Sequence, residues 1–208
     1  MADVLSFVAD PVIPGHAESP LAGHCEPGDF GAVGETGPGV VLSERFGLSI
    51  AELSAWRGAD AKMRAAIRSA AGLALKTAPG SGMHRQGVSA FNIAPGRWLV
   101  SGDASGLVSA LDRAAGGHGT VTDLSHGRTV IRIDGEKSRW VLAKLFAVNL
   151  ADGALATGDG LATAHHDIHA QIQRVGPNAF DLYVFRSFAR SFWHLLRRSA
   201  EEAGYRIG

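Results

Sequence analysis

Apolar and polar positions alternate in two recurring patterns along this chain, and the same order of patterns occurs twice. Residues 48–56, LSIAELSAW, read as a strand that ends at Arg57-Gly58. From Ala59 to Gly72 the period lengthens: Met63, Ala66, Ile67 and Ala70 fall on one helical stripe, and Gly72 is a suitable stop. Residues 76–87 read as a loop. Val88–Ile93 and Arg97–Ser101 then predict a hairpin turned by Ala94-Pro95-Gly96. Leu107, Val108 and Leu111 predict a helix before Gly116-Gly117, with Asp103 or Ser105 as its cap.

The second half repeats this order. Thr120–Leu150 reads as strand, tight turn, strand (Thr129–Ile133), Asp134-Gly135 and a helix with Val141, Leu145 and Val148 on its stripe. A glycine-rich loop covers residues 151–163. Ile168–Val175 and Phe180–Phe185 are strands around Gly176-Pro177-Asn178. A last helix carries Phe188, Phe192, Leu195, Leu196 and Ser199 on one face. Gly58 answers Gly135, and Pro95-Gly96-Arg97-Trp98 answers Pro177-Asn178-Ala179-Phe180. The expected fold is α+β, built from duplicated split βαβ (ferredoxin-like) halves with right-handed crossovers. The halves are expected at about 45–117 and 118–208, forming a single domain over 45–208.

Residues 1–44 break the pattern. Five prolines (Pro11, Pro14, Pro20, Pro27 and Pro38) and seven glycines predict an extended arm without regular structure. Its scattered apolar residues, among them Leu5, Phe7, Val8, Val12, Ile13 and Phe30, favour an arm that docks on another surface, such as a partner chain, over a disordered tail.

Composition narrows the function classes. Over 208 residues, 46% apolar and 19% charged side chains describe an ordinary globular protein. Twenty basic side chains balance twenty acidic ones, which removes a general attraction to nucleic acid or an anionic membrane. No apolar run approaches the roughly 20 residues that span a bilayer, and the N-terminus lacks the basic and apolar regions of a signal peptide. The lone Cys25 excludes an internal disulfide framework and fits a cytoplasmic protein.

Three groups of residues invite a chemical reading. Asp123, Ser125 and His126 are the residue types of a hydrolase triad. On a strand, however, Asp123 and Ser125 share one side and His126 faces away, and no nucleophile elbow is present; a turn held by local side-chain bonds is the expected role. His165, Asp167, His169, Gln171 and Gln173 would form one polar row if a strand began by residue 165. His165, Asp167 and His169 are then metal-ligand candidates, weighed against a plain polar sheet surface. Arg186, Arg190, His194, Arg197 and Arg198 read as the solvated face of the last helix. Trp56, Trp98, Trp140 and Trp193 read as core or interface anchors. Nucleotide fingerprints are absent: Arg85 and Thr163 stand where a dinucleotide motif has its third glycine.

Three segments carry a family resemblance: IAPGRWLVSG at 93–102, VTDLSHGRTVIRIDGEKSRWVLAKL at 121–145 and FDLYVFRSFARSFWHLLRRSAEEAGY at 180–205. Together they resemble the folate-binding fold of aminomethyltransferases and, more specifically, the gamma subunit of heterotetrameric sarcosine oxidase, over about residues 45–205. That resemblance implies a holoenzyme that oxidatively demethylates sarcosine to glycine with O2. The products are hydrogen peroxide and, with tetrahydrofolate, 5,10-methylenetetrahydrofolate. It implies alpha, beta and delta partner subunits, which carry FAD, FMN, NAD, zinc and tetrahydrofolate, and a non-catalytic chain here that holds no cofactor. Folate-dependent aminomethyltransferases lead into the strand at 168–175 with a Gly-Gly-x-x-Asp-Asp type segment. Here only Asp167 remains as a counterpart, so Asp167 is a residual folate-site candidate. An independent folate-binding or one-carbon transferase module using Asp167 is the alternative, and a metal-dependent enzyme ranks last.

Overall fold

A computed structural model describes residues 18–35 and 37–208. The apolar residues singled out before position 18, Leu5, Phe7, Val8, Val12 and Ile13, lie outside the described residues, as do Pro11 and Pro14.

Among the described residues, twelve strands form two sheets, and four α-helices cover their outer faces. The smaller sheet has the order β4 (Gly82–Arg85), β5 (Val88–Ala94), β6 (Arg97–Gly102), β3 (Ser49–Ala55), β7 (Gly119–Asp123). Helices α1 (Asp60–Ala71) and α2 (Leu107–Ala115) cover it through Met63, Ile67, Leu107 and Leu111, packed on Ala51, Leu53, Trp98 and Val100. The larger sheet has the order β1 (Gly28–Phe30), β12 (Tyr205–Ile207), β2 (Val40–Glu44), β8 (Arg128–Asp134), β11 (Ala179–Phe185), β10 (Ile168–Arg174), β9 (Gly160–His165). Helices α3 (Ser138–Ala143) and α4 (Ala189–Ala200) cover it through Val141, Leu142, Phe192, Trp193 and Leu196. The opposite faces of the two sheets meet in a third cluster of Leu48, Ile50, Phe91, Leu99, Val130 and Tyr183. Period-2 alternation explains this division: on β6, Trp98 and Val100 face the helices while Leu99 and Ser101 face the other sheet.

Each sheet contains the order expected of a split βαβ repeat, with one interruption. In the smaller sheet β7 pairs directly with β3. In the larger sheet β12, the equivalent last strand, is separated from β8 by β2, which pairs parallel to β12 and antiparallel to β8. The expectation that residues 1–44 lack regular structure is thereby corrected for their described part. Prolines and glycines flank the run Val40-Val41-Leu42 rather than interrupt it, so this run forms a strand whose Val40 and Leu42 are buried.

Other boundaries move for similar reasons. The region 76–87 contains β4, turned into β5 by Gln86 and Gly87, both at positive φ; Gln-Gly is a weak form of this turn signal. The stretch 151–163 contains the start of β9. No side chain caps α2: Gly106 stands at its N-cap. Helix α3 ends at Ala143, short of Leu145 and Val148. The turn at Leu124–Gly127 makes no hairpin, because β7 belongs to one sheet and β8 to the other. A division at residue 118 therefore falls before the last strand of the first sheet. Trp98 and Trp193 are core residues, whereas Trp56 and Trp140 are 57% and 45% exposed.

Candidate functional site

The turn between the sheets positions the first group of polar residues. Asp123 ends β7, and its Oδ1 accepts the Ser125 amide at 2.9 Å and the Ser125 hydroxyl at 2.6 Å. Ser125 Oγ in turn accepts the Ile50 amide at 3.0 Å. Both Asp123 and Ser125 are therefore engaged with the local chain, the geometry of an Asx turn. The two bonds from Ser125 hold the Asp123 carboxyl below its ordinary value. A depressed carboxyl contributes stability that is present above the unfolded-state value and is lost as pH falls through the folded one. Ser125→Ala is expected to shift the low-pH edge of thermal stability upward, with at most about 1 kcal/mol lost at neutral pH. Melting curves from pH 3 to 7 check it; an acid edge that does not move would contradict this role.

The row expected at residues 165–173 is split: His169, Gln171 and Gln173 share a face of β10, but His165 and Asp167 do not lie on that strand. His166, at φ 49°, and Asp167 form a two-residue turn between β9 and β10, so His165 and His169 lie on different strands. His165 sits opposite Ile168 in register, and its ring faces the helical layer: Nδ1 donates to the Leu145 carbonyl at 2.6 Å and the imidazole meets Phe146 edge-on. His169, one residue on from Ile168, takes the other face of the sheet. Asp167 is exposed at the tip of the turn. His165, Asp167 and His169 are thus not brought together, and among the described residues no group of three or more His, Cys, Asp or Glu could hold a metal ion. The alternation that suggested one strand was interrupted by a histidine at positive φ, which its side chain tolerates better than most.

Gln173 has a structural task. Its Nε2 donates to Gly158 O at 2.8 Å and to Met83 O at 3.2 Å, tying the larger sheet to the edge of the smaller one. Asp159 Oδ1 accepts the Gly82 amide at 3.0 Å beside it. Deeper between the sheets, Arg132 on β8 and Asp181 on β11 are register partners joined by two bonds of 2.7 and 2.8 Å. Tyr183, two residues on, reaches Ser101 Oγ at 2.9 Å. Burial, reinforced by the nearby Asp181 carboxylate, pushes the Tyr183 phenol well above its usual value. Cys25 is half-buried, and burial pushes its thiol up to about 11, so it is a poor nucleophile.

Two concavities adjoin the turn at Leu124–Gly127. A cleft of about 370 Å³ is lined by Arg45, Phe46, Asp103, His126, Arg128 and Thr129, among others. A second cleft of about 670 Å³, lined by Gly127, Phe185, Ser187 and Arg190, shares Pro20 and Arg186 with the first. Arg128 stacks on Phe185 with Cζ 3.8 Å from the ring centroid. Its Nε is buried and has no hydrogen-bond partner among the described residues. Burial lowers the proton affinity of its guanidinium, opposed by Glu52. Arg45, Phe46 and Arg128 escaped notice in the sequence because they sit at strand ends, with no spacing that links them. The last helix is also not simply solvated: Arg186 donates to Glu18 O, Arg190 to Pro20 O and Trp193 to His24 O. Residues 18–24 thus dock on this chain's own helix. No helix among the described residues is long and apolar enough to cross a membrane.

Comparison with known proteins places these features in context. A family model described as "Sarcosine oxidase, gamma subunit family" matches residues 56–202. No curated protein matches the chain. A chain of heterotetrameric sarcosine oxidase from Corynebacterium sp. U-96, solved in complex with pyrrole 2-carboxylate, aligns with a TM-score of 0.74 at 24% identity. The alignment covers 89% of this chain and 95% of that one. The glycine cleavage system aminomethyltransferase T from Bartonella henselae aligns with a TM-score of 0.54 at 17% identity, over 76% of this chain and 45% of that chain. These two likenesses concern the α+β fold, which is shared with both proteins.

Proposed function

Since the chain belongs to the sarcosine oxidase gamma subunit family, we propose that it serves as a non-catalytic assembly subunit of a heterotetrameric sarcosine oxidase. The family match over residues 56–202 is the observation that carries this reading. In this proposal the complex oxidises sarcosine to glycine with O2, releases hydrogen peroxide and passes the one-carbon unit to tetrahydrofolate. The alpha, beta and delta subunits carry the FAD, FMN, NAD, zinc and folate sites, and the complex is cytoplasmic.

The polar residues that first suggested chemistry support an architectural role. Asp123 accepts from Ser125, Ser125 accepts the Ile50 amide, and Gln173 donates to backbone carbonyls. Asp167 stands at an exposed hairpin tip and lines neither cleft described above, which favours the assembly reading over a folate-binding module. Omitting this chain when the remaining subunits are co-expressed is expected to abolish recovery of soluble, flavin-loaded complex. Full recovery without it would contradict the proposal. In the assembled complex, Asp167→Asn is expected to leave sarcosine turnover within about twofold of wild type, whereas loss of an acid or base typically costs 100-fold or more.

A further inference from the structure

β9 is the outermost strand of the larger sheet and is bonded to β10 on one side only. Its register fixes which main-chain groups face outward. Leu161, Thr163 and His165 stand opposite Ile172, Ala170 and Ile168, and the two-residue turn makes His165 and Ile168 a hydrogen-bonded pair. Main-chain groups alternate sides along an antiparallel strand, so Gly160, Ala162 and Ala164 turn theirs away from β10. Gly160 shows this parity directly: its amide donates to Gly80 O at 2.8 Å. The amides and carbonyls of Ala162 and Ala164 have no partner among the described residues, and both residues are exposed. The other three sheet edges are protected. At β4 the outward Gly82 amide is taken by Asp159, β1 has three residues and carries Asp29, and β7 ends in the Asp123 carboxylate. Cover, shortness and charge are the usual means of blunting an edge. From Gly160 to Ala164, β9 has no charge, proline or bulge. A cleft of about 460 Å³, lined by Ile93, Pro95 and Leu161, borders this edge at Gly160 and Ala162. Its charged lining is mixed, Asp60 with Arg64 and Lys76, and so selects no charge.

We infer that the β9 edge receives an extended segment of another subunit, which adds a strand to the larger sheet through Ala162 and Ala164 and sets an apolar side chain over Ile93 and Leu161. This inference rests on the reading of the chain as a subunit of a larger complex. Main-chain donors and acceptors repeated every second residue are the complement of an extended backbone, not of a compact ligand. A second copy of this chain does not fit the edge. Antiparallel pairing of Ala162 with Ala164 of a second copy puts that copy's His166-Asp167 turn opposite Gly160, where Gly80 already lies. Pairing Ala162 with Ala162 instead sets Ala164 against Gly160 of the copy, whose outward amide is already used.

The test uses the assembled complex. In hydrogen exchange resolved to single residues, the amides of Ala162 and Ala164 are expected to exchange as slowly as the ladder amides of Leu161 and Thr163. A photo-crosslinking amino acid at position 162 is expected to capture an extended segment of another subunit. Ala164→Pro deletes only an outward amide, at the kind of edge position where proline is tolerated. Ala162→Lys adds a charge that blunts the edge. Each is expected to weaken assembly by about tenfold, the effect of losing one or two net hydrogen bonds. Ala162→Lys, at an exposed position, should leave the melting temperature of the chain unchanged, which separates docking from folding. Fast exchange at Ala162 and Ala164 in the complex would overturn the inference, as would capture of a second copy or of this chain's own residues 1–17. So would wild-type assembly by both variants, which leaves the subunit reading intact. Failure of the wild-type chain to assemble at all would overturn that reading and this inference with it.

Discussion

Arg132→Leu is expected to destabilise the folded protein by about 3–5 kcal/mol, because it leaves the Asp181 carboxylate between the two sheets without its counter-charge. Asp181 is 2% exposed, and both its oxygens are bound by Arg132. The pair lies in register across β8 and β11, two residues from Tyr183, where the sheets meet. Those surroundings exclude much of the water that would otherwise solvate a lone carboxylate. The double replacement Arg132→Leu with Asp181→Leu should recover most of the loss, since an apolar pair removes the uncompensated charge. Arg97→Ala provides the contrast: its pairing with Glu52 has a half-exposed arginine and should cost less than about 1 kcal/mol. Urea unfolding midpoints, with the slope checked for constancy, measure all three. A single-variant loss below 1 kcal/mol would show that the pair does not organise the space between the sheets.

Gly135→Ala is expected to cost about 2–5 kcal/mol, combining backbone strain with overpacking. Gly135 has φ 134°, which side-chain-bearing residues rarely adopt. A Cβ there would also press on the Gly39 carbonyl and stand 2.9 Å from Val40 Cα. Gly39 precedes and Val40 begins β2, the strand inserted between β8 and β12. The lesion should therefore loosen β2 and β12 first, and hydrogen exchange at Val41 and Ile207 should rise before exchange at Phe91 or Val100. Uniform acceleration across both sheets would instead mean that β2 is not a separable attachment. At Gly58, whose Cβ would meet nothing within 4 Å, alanine carries only the cost of its positive φ.

Gly135 also shows how far the sequence reaches. Its place after a strand and before a helix marked the second repeat, and the strand-and-helix formula of both halves was legible from apolar spacing. What spacing did not convey was which strands pair. Val40–Glu44 contributes to the far half of the fold, and β7 stays with the near half, because pairing depends on long-range burial rather than on local pattern. The same limit applies to the two adjoining clefts. Arg45-Phe46, Arg128 and Phe185 are distant in sequence and meet because β2, β8 and β11 are neighbours in the larger sheet. The His165–His169 row failed for a local reason instead: a tight turn at His166-Asp167 preserved polar alternation while reversing the chain.

The most direct test of the central claim is affinity capture of this chain from its native source, followed by identification of the associated chains and a visible absorbance spectrum. Three further subunits in equal proportion, flavin absorbance in the captured material, and hydrogen peroxide release on addition of sarcosine are expected. Recovery of this chain alone, as a colourless monomer without sarcosine-dependent peroxide, would contradict it.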